Sequence, residues 1–176
     1  TTREEVGQML KMDDDIDLII PRGSNAFVRY IMDNSRIPVL GHSDGVCHVY
    51  IDAACSDAEM AARVCVDAKT QYPAACNAAE TLLVHEAAVA TILPVVAKAL
   101  HEASVRLIAD DTCRAVIAAE GIPCDAAGEA DWDAEYLDHI LSVKAVSSVE
   151  EAIAHINRHG SHHTDCILTE DEAAAQ

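Results

Sequence analysis

One of the seven cysteines lies where a thiol could act as a nucleophile. Cys76 falls on a short connection between a helix that Pro73 ends and a strand predicted at residues 81–84. Small residues flank the thiol, so a substrate could approach the sulfur, and backbone N–H groups of such a loop can lower the pKa of a thiol and bind an oxyanion. A cysteine is nevertheless most often a small, buried, apolar residue. Local chemistry makes Cys76 the best candidate of the seven without establishing it as catalytic.

A second candidate is a phosphate-binding turn formed by Arg22, Gly23 and Ser24. A strand that turns through a glycine into a helix leaves backbone N–H groups pointing outward, where a phosphate can bind. Arg22 adds a cation and Ser24 a hydroxyl. The spacing matches neither a Walker loop nor the G-x-G-x-x-G fingerprint, so an ordinary turn with Ser24 or Asn25 as helix N-cap is the better interpretation of the local pattern.

Histidines near the end of the chain form a third candidate site. His155 and His159 lie one helical turn apart and, with His163 or Asp165, could ligate a metal ion. A solvated helix end explains the same pattern, because a histidine there also interacts favourably with the helix dipole. We therefore expect no metal.

The charge of the chain limits its partners. Thirty Asp and Glu residues against 12 Lys and Arg give a net charge of −18. Such a surface repels nucleic acid and anionic lipid, so we expect neither a nucleic-acid nor a membrane partner. The seven cysteines are scattered and include no C-x-x-C pair, which indicates a reducing compartment, the cytoplasm or an organelle matrix.

The elements that must position these residues alternate between strands and helices. This alternation is typical of an α/β fold with a largely parallel sheet flanked by helices. Helices are predicted at residues 3–11, 26–32, 58–69, 89–102, 112–119 and 149–159. Strands are predicted at residues 16–20, 37–40, 46–51, 81–84, 105–109, 140–146 and 165–168. Residues 124–132 are small and acidic, and we predict an exposed loop there.

Four stretches of the chain carry a family resemblance. The stretch around the thiol is Tyr72-Pro73-Ala74-Ala75-Cys76-Asn77-Ala78-Ala79-Glu80-Thr81-Leu82-Leu83-Val84. The others are residues 17–24 (DLIIPRGS), residues 37–42 with 45–50 (IPVLGH and GVCHVY), and residues 159–165 (HGSHHTD). In this order and at these intervals they resemble the gamma-glutamyl phosphate reductases, whose activity also forms the second half of the delta-1-pyrroline-5-carboxylate synthases. The resemblance covers nearly the whole chain.

This resemblance implies a member of the aldehyde dehydrogenase superfamily. Residues 1–45 would be the tail end of a Rossmann-like cofactor-binding domain, and residues 46–176 an aldehyde dehydrogenase-like catalytic domain. The implied reaction is NADPH-dependent reduction of L-glutamyl 5-phosphate to L-glutamate 5-semialdehyde in proline biosynthesis. The complete enzyme would be a homo-oligomer. Both ends of the chain are expected to be cut, so that this chain alone would fold but turn over little or no substrate.

The resemblance also assigns roles to site residues. Cys76 matches the nucleophile, which would form a thioester with the substrate, and Asn77 lies beside it in the catalytic group. The turn at residues 22–24 falls where the superfamily holds the cofactor pyrophosphate. Lys69 and Asn77 flank the thiol and are candidate contacts to the phosphate or carboxylate of the substrate.

Val39 is an informative departure from the wider superfamily. Aligned to hydrolytic aldehyde dehydrogenases, it falls where those enzymes carry a glutamate that activates water against the thioester. A valine cannot do this, which suits an acyl-phosphate reductase because hydrolysis would waste the intermediate.

Two alternatives stay open from the sequence. The parent protein could be a stand-alone reductase or the bifunctional synthase. The chain could also be a non-catalytic domain that keeps the aldehyde dehydrogenase fold as a binding or assembly module.

Overall fold

The computed structural model describes residues 2–41 and 44–176. The chain divides into two compact units, residues 1–44 and 45–176. His42, which belongs to one of the four stretches, lies outside the described residues.

The first unit contains two helices, α1 (Arg3–Met9) and α2 (Asn25–Asn34). Thr2 caps α1, because its side chain accepts a hydrogen bond from the N–H of Glu5 while the Glu5 carboxylate accepts one from the N–H of Thr2. A small aliphatic core cluster holds this unit together. It consists of Leu10, Ile19, Ile31 and Ile37.

The two strands predicted in the first unit shorten to one parallel bridge, between Ile19 and Val39. The N–H of Ile19 donates to the Pro38 carbonyl (2.9 Å), and the N–H of Leu40 donates to the Ile19 carbonyl (2.8 Å). A longer ladder would next need N–H donors at positions 38 and 21, and both are prolines. Both predicted strands are therefore too long.

The second unit is built on a sheet of six parallel strands in the order β4-β3-β5-β2-β1-β6. Their bounds are β1 Cys47–Ile51, β2 Ala79–His85, β3 Arg106–Ala109, β4 Cys124–Ala126, β5 Ile140–Val146 and β6 Asp165–Leu168. All of β1 and all but the last residue of β2 are buried, as a parallel sheet covered on both faces requires. The predicted α/β class with a parallel sheet is confirmed.

Helices cover both faces of this sheet. They are α3 Ala58–Thr70, α4 Glu86–Val89, α5 Leu93–Glu102, α6 Asp111–Ala119, a 3-10 helix Glu129–Asp133, and α7 Val149–His159. The larger core packs α3, α5 and α6 against one face, and a smaller cluster packs α7 against the other. Asp57 caps α3 by accepting a hydrogen bond from the N–H of Met60. In the described ranges, no helix is long and apolar enough to cross a membrane.

Two sequence predictions in the second unit are wrong. The helix predicted at residues 89–102 is interrupted, because α4 ends at Val89 and α5 begins at Leu93 with Pro94 in its first turn. The loop predicted at residues 124–132 instead contains the edge strand β4 and most of the 3-10 helix, and its Trp132 is buried.

Candidate active site

Cys76 lies at the centre of a turn between α3 and β2. The N–H of Ala75 donates to the Tyr72 carbonyl (3.0 Å), and the N–H of Ala78 donates to the Ala75 carbonyl (3.0 Å). Cys76 and Asn77 are the two central residues of the second turn, and both are exposed. Within the described part of the chain, neither of their own N–H groups donates to a protein acceptor. An exposed sulfur thus lies beside two backbone donors that are free to bind an oxygen of a ligand.

The turn belongs to the amino edge of the sheet, because it directly precedes β2. Gly45 precedes β1 at the same edge, residues 135–137 precede β5, and residues 161–164 precede β6. Open α/β sheets more commonly bind ligands at the carboxyl ends of their strands. The candidate site is therefore formed by the segments that enter the strands.

Gly45 packs directly against the backbone of Cys76. A Cβ atom at Gly45 would lie 2.2 Å from the carbonyl oxygen of Cys76, so no other residue fits without moving the turn. The N–H of Gly45 donates to Oε1 of Glu135 (2.8 Å). The thiol of Cys47 donates to the same Cys76 carbonyl (3.3 Å), and burial raises the pKa of Cys47, which keeps it protonated. These contacts fix the backbone from which the Cys76 sulfur projects.

The six other thiols lie in less reactive surroundings. Four of them are buried, Cys124 is half-buried, and Cys166 is exposed. Burial raises the pKa of every one of the six. Since the thiolate is the nucleophilic form, each of these cysteines is held in its less reactive state.

Lys69, a predicted substrate contact, is fully buried at the end of α3. Its Nζ lies 2.6 Å from Oε2 of Glu80, the second residue of β2, and neither side chain has any exposed surface. A direct contact between Lys69 and a substrate would require this ion pair to separate. The burial of Lys69 therefore argues against the predicted contact with the substrate.

The turn at residues 22–24 lies in the first unit and has features that fit a bound phosphate. Ser24 is the N-cap residue of α2, and its own side chain accepts no hydrogen bond from the N–H groups of the first turn. Gly23 has φ = 152°, and a Cβ there would lie 2.9 Å from Cδ1 of Phe27. Arg22 is exposed. A close backbone approach, N–H donors and a cation are the elements that hold a nucleotide phosphate.

The candidate metal ligands His159, His163 and Asp165 each pair with a side chain from outside the candidate ligand set. Nδ1 of His159 lies 2.7 Å from Oδ1 of Asp133, Nδ1 of His163 contacts the Thr164 hydroxyl (2.8 Å), and Asp165 pairs with His48. Among residues 2–41 and 44–176, no group of three or more His, Cys, Asp or Glu side chains could hold a metal ion.

Two histidine rings and a tryptophan ring instead pack around His155. Its ring centroid lies 4.6 Å from that of His159, 5.6 Å from that of His48 and 5.7 Å from that of Trp132. His155 is buried, and its Nε2 has no hydrogen-bond partner among the residues that the structure describes. Burial, reinforced by the neighbouring His159, His48 and Lys144, lowers the pKa of His155 to about 3.

This environment predicts an acid-sensitive fold that His155→Phe makes less sensitive. The pKa of His155 falls from an ordinary 6.5 to about 3 on folding, so between these values the unfolded chain binds the proton and stability is lost as the pH falls. The slope for one such group is up to about 1.4 kcal/mol per pH unit. Urea unfolding followed by circular dichroism across this range should show a shallower loss of stability for His155→Phe than for the wild type. The exposed His101→Phe is the matched control, and equal slopes in all three proteins would contradict the prediction.

Comparison with known proteins finds sequence relatives of the chain. No family model matches it. It is 56% identical over 175 residues to the gamma-glutamyl phosphate reductase of Synechococcus elongatus, across 99% of this chain and 39% of that protein. It is 60% identical over 168 residues to the same enzyme of Pelotomaculum thermopropionicum, across 96% of this chain and 37% of that protein. The chain is a homologue of the gamma-glutamyl phosphate reductases. It spans less than two fifths of the length of these two relatives.

Solved structures agree with the sequence relationship. The crystal structure of the gamma-glutamyl phosphate reductase of Thermotoga maritima superposes with a TM-score of 0.92 at 37% identity, over 99% of this chain and 41% of that one. An acetylating aldehyde dehydrogenase of Geobacillus thermoglucosidasius gives a TM-score of 0.71 at 20% identity, over 99% of this chain and 46% of that one. The second likeness shows the aldehyde dehydrogenase fold alone, and both confirm the predicted fold class.

The sequence reasoning missed several neighbours of the thiol in this homologue of the gamma-glutamyl phosphate reductases. Gly45, Cys47 and Glu80 lie within the four stretches that carry the family resemblance, but the sequence assigned them no role. One signal was available, since Glu80 is a lone acid in the otherwise neutral run at residues 78–84, and such a residue needs a buried partner. Glu135 carries no comparable signal in the sequence.

Proposed function

We propose that this chain provides the thiol-bearing catalytic part of a gamma-glutamyl phosphate reductase, which reduces L-glutamyl 5-phosphate to L-glutamate 5-semialdehyde with NADPH. The observation that carries the proposal is the exposed Cys76, in a turn whose two central N–H groups donate to no protein acceptor within the described residues. The homology of the chain supplies the substrate class. Within this proposal, the complete enzyme works as a homo-oligomer in the cytoplasm or an organelle matrix.

Cys76 carries out the covalent steps. The thiolate sulfur attacks the carbonyl carbon of the acyl phosphate, a C–S bond forms, and the carbonyl oxygen becomes an oxyanion. The N–H groups of Cys76 and Asn77 donate to this oxyanion, and losing one such donor typically costs about 3–4 kcal/mol of barrier. As the oxyanion collapses, the C–O bond to the phosphate breaks, phosphate leaves with the electron pair, and a thioester on Cys76 remains.

The cofactor lies against the turn at residues 22–24 in this proposal. Arg22 would pair with a cofactor phosphate, Gly23 would allow the turn to pack against Phe27 with its N–H groups exposed, and the hydroxyl of Ser24 would donate a hydrogen bond. When bound, NADPH supplies the hydride that reduces the acyl group on Cys76. The C–S bond then breaks, the aldehyde leaves, and Cys76 regains its thiol. Val39, aligned with a water-activating glutamate of other enzymes, cannot activate water, which suits a reaction whose thioester must survive until it is reduced.

The first test is selective alkylation of the thiols in the folded chain. Near neutral pH, iodoacetamide is expected to label Cys76 at least about ten times faster than Cys166, the other exposed cysteine, because burial raises the pKa of Cys166. Peptide mass spectrometry at short labelling times measures both rates. In the matched variant Cys76→Ser, the fast phase should disappear while the Cys166 rate stays unchanged. Equal rates for the two thiols in the wild type would favour a non-catalytic binding or assembly module instead.

A further inference from the structure

The ion pair between Lys69 and Glu80 spans the base of the loop that carries Cys76. Lys69 is in the last turn of α3, Glu80 is the second residue of β2, and the loop consists of the residues between these elements. Within the described ranges, Lys69 and Glu80 are the only charged residues with an exposure of 0%. Their 2.6 Å contact therefore fixes where the loop leaves the helix and where it enters the sheet.

Stability alone does not account for this pair. Removing two charges from water costs several kcal/mol per ion, and a well-packed apolar pair of similar volume is often equally or more stable. Burial raises the pKa of the Glu80 carboxyl, and the hydrogen bond from Lys69 acts in the opposite sense. What a buried pair adds over apolar side chains is a directional contact, since a charge-assisted hydrogen bond restricts the distance and orientation of both partners.

Glu80 also connects the base of the loop to the segment at residues 135–137, which precedes β5. Its Oε1 accepts a hydrogen bond from the N–H of Leu137 (3.4 Å). Two residues earlier in the same segment, Glu135 accepts a hydrogen bond from Gly45, which packs on the Cys76 backbone. A continuous set of contacts thus runs from the base of the loop, through residues 135–137, to the backbone of the proposed nucleophile.

We propose that Lys69 and Glu80 are positioning residues that hold Cys76 in its reactive geometry. This inference rests on the proposed function and gives Lys69 a role other than direct substrate contact. A displacement of the nucleophile by about 1 Å is enough to reduce a rate by about 10²-fold. The pair acts on the turnover number rather than on substrate affinity, because neither side chain reaches the surface.

The test uses the double variant Lys69→Met/Glu80→Leu, which removes both charges and keeps most of the volume. In the 176-residue chain, hydrogen exchange of the amides at residues 71–78 is expected to become at least about tenfold faster, while the helices and strands keep their protection. In a chimera in which this chain replaces the homologous segment of the Synechococcus elongatus reductase, kcat is expected to fall about 10²-fold while KM changes less than about threefold. The matched control is Arg106→Met/Asp125→Leu, an exposed ion pair at the far side of the sheet, which should leave both readouts unchanged.

A folded double variant with wild-type exchange at residues 71–78 and wild-type kcat would overturn the inference. Glu80→Gln, which keeps the shape of the side chain, covers the case in which the double variant does not fold. It should show the same changes to a smaller extent, and wild-type behaviour in both readouts would again overturn the inference. Failure of the proposed function is a different result, since the wild-type chimera would then be inactive or the variant Cys76→Ser would retain activity.

Discussion

Replacing Cys76 by serine in the chimera is expected to abolish reduction of L-glutamyl 5-phosphate. A serine hydroxyl is a weak nucleophile unless an adjacent base activates it, so the hydroxyl cannot replace the thiolate in forming the acyl-enzyme. The loss of kcat/KM should be at least about 10⁴-fold, as expected when a covalent nucleophile is removed. Oxidation of NADPH, followed by its absorbance after addition of freshly prepared glutamyl phosphate, measures the effect.

Two controls separate this result from general damage. Cys166→Ser removes the other exposed thiol and should keep wild-type kcat/KM, because Cys166 lies on the edge strand β6 and has no role in the proposed reaction. The unfolding midpoint of Cys76→Ser should match that of the wild type, since the side chain is exposed. If the Cys76→Ser chimera keeps more than a tenth of wild-type activity, its barrier has risen by less than about 1.4 kcal/mol. That result would mean that the thiol is not the nucleophile.

One helix and two strands of the second unit could be predicted closely from the sequence. The helix α7 and the strands β5 and β6 have the predicted bounds, because Ser148 gives a capped start to α7, Gly160 follows its last residue, and both strands are short apolar runs. The helix predicted at residues 89–102 is wrong for a local reason that the sequence does contain. Pro94 removes a backbone donor and restricts the residue before it, and the apolar spacing on both sides hid this break.

The candidate site could be predicted only in part, because its supports are distant in sequence. The thiol was found through the stretch that surrounds it, and the two turns of that stretch explain its exposure. Gly45 and Glu135 meet across 90 positions, and no local periodicity reports such a contact. Lys69 illustrates the same limit. Its position near a reactive thiol suggested a free cation. Lys69 nevertheless continues the buried face of α3, four residues after Cys65.

Lys69→Met alone should destabilise the 176-residue chain strongly. The substitution leaves the carboxylate of Glu80 buried without its ammonium partner, and breaking a buried pair in this way costs about 3–5 kcal/mol of unfolding free energy. Chemical denaturation near neutral pH, followed by circular dichroism, measures the loss. The exposed Lys98→Met is the matched control and should change the unfolding free energy by less than about 0.5 kcal/mol.

The pH dependence of this loss distinguishes an uncompensated charge from a packing defect. Burial already raises the pKa of Glu80 above its ordinary 4.5, and Lys69 opposes that shift, so the variant should have a still higher folded-state pKa. A group with a raised folded-state pKa binds its proton first in the folded chain, so stability is gained as the pH falls from the folded-state pKa toward 4.5. The difference between Lys69→Met and the wild type should therefore shrink with acidification, and Lys69→Met/Glu80→Leu should lose less stability than Lys69→Met at neutral pH. A deficit that stays constant with pH would mean that the ammonium of Lys69 does not compensate the Glu80 charge.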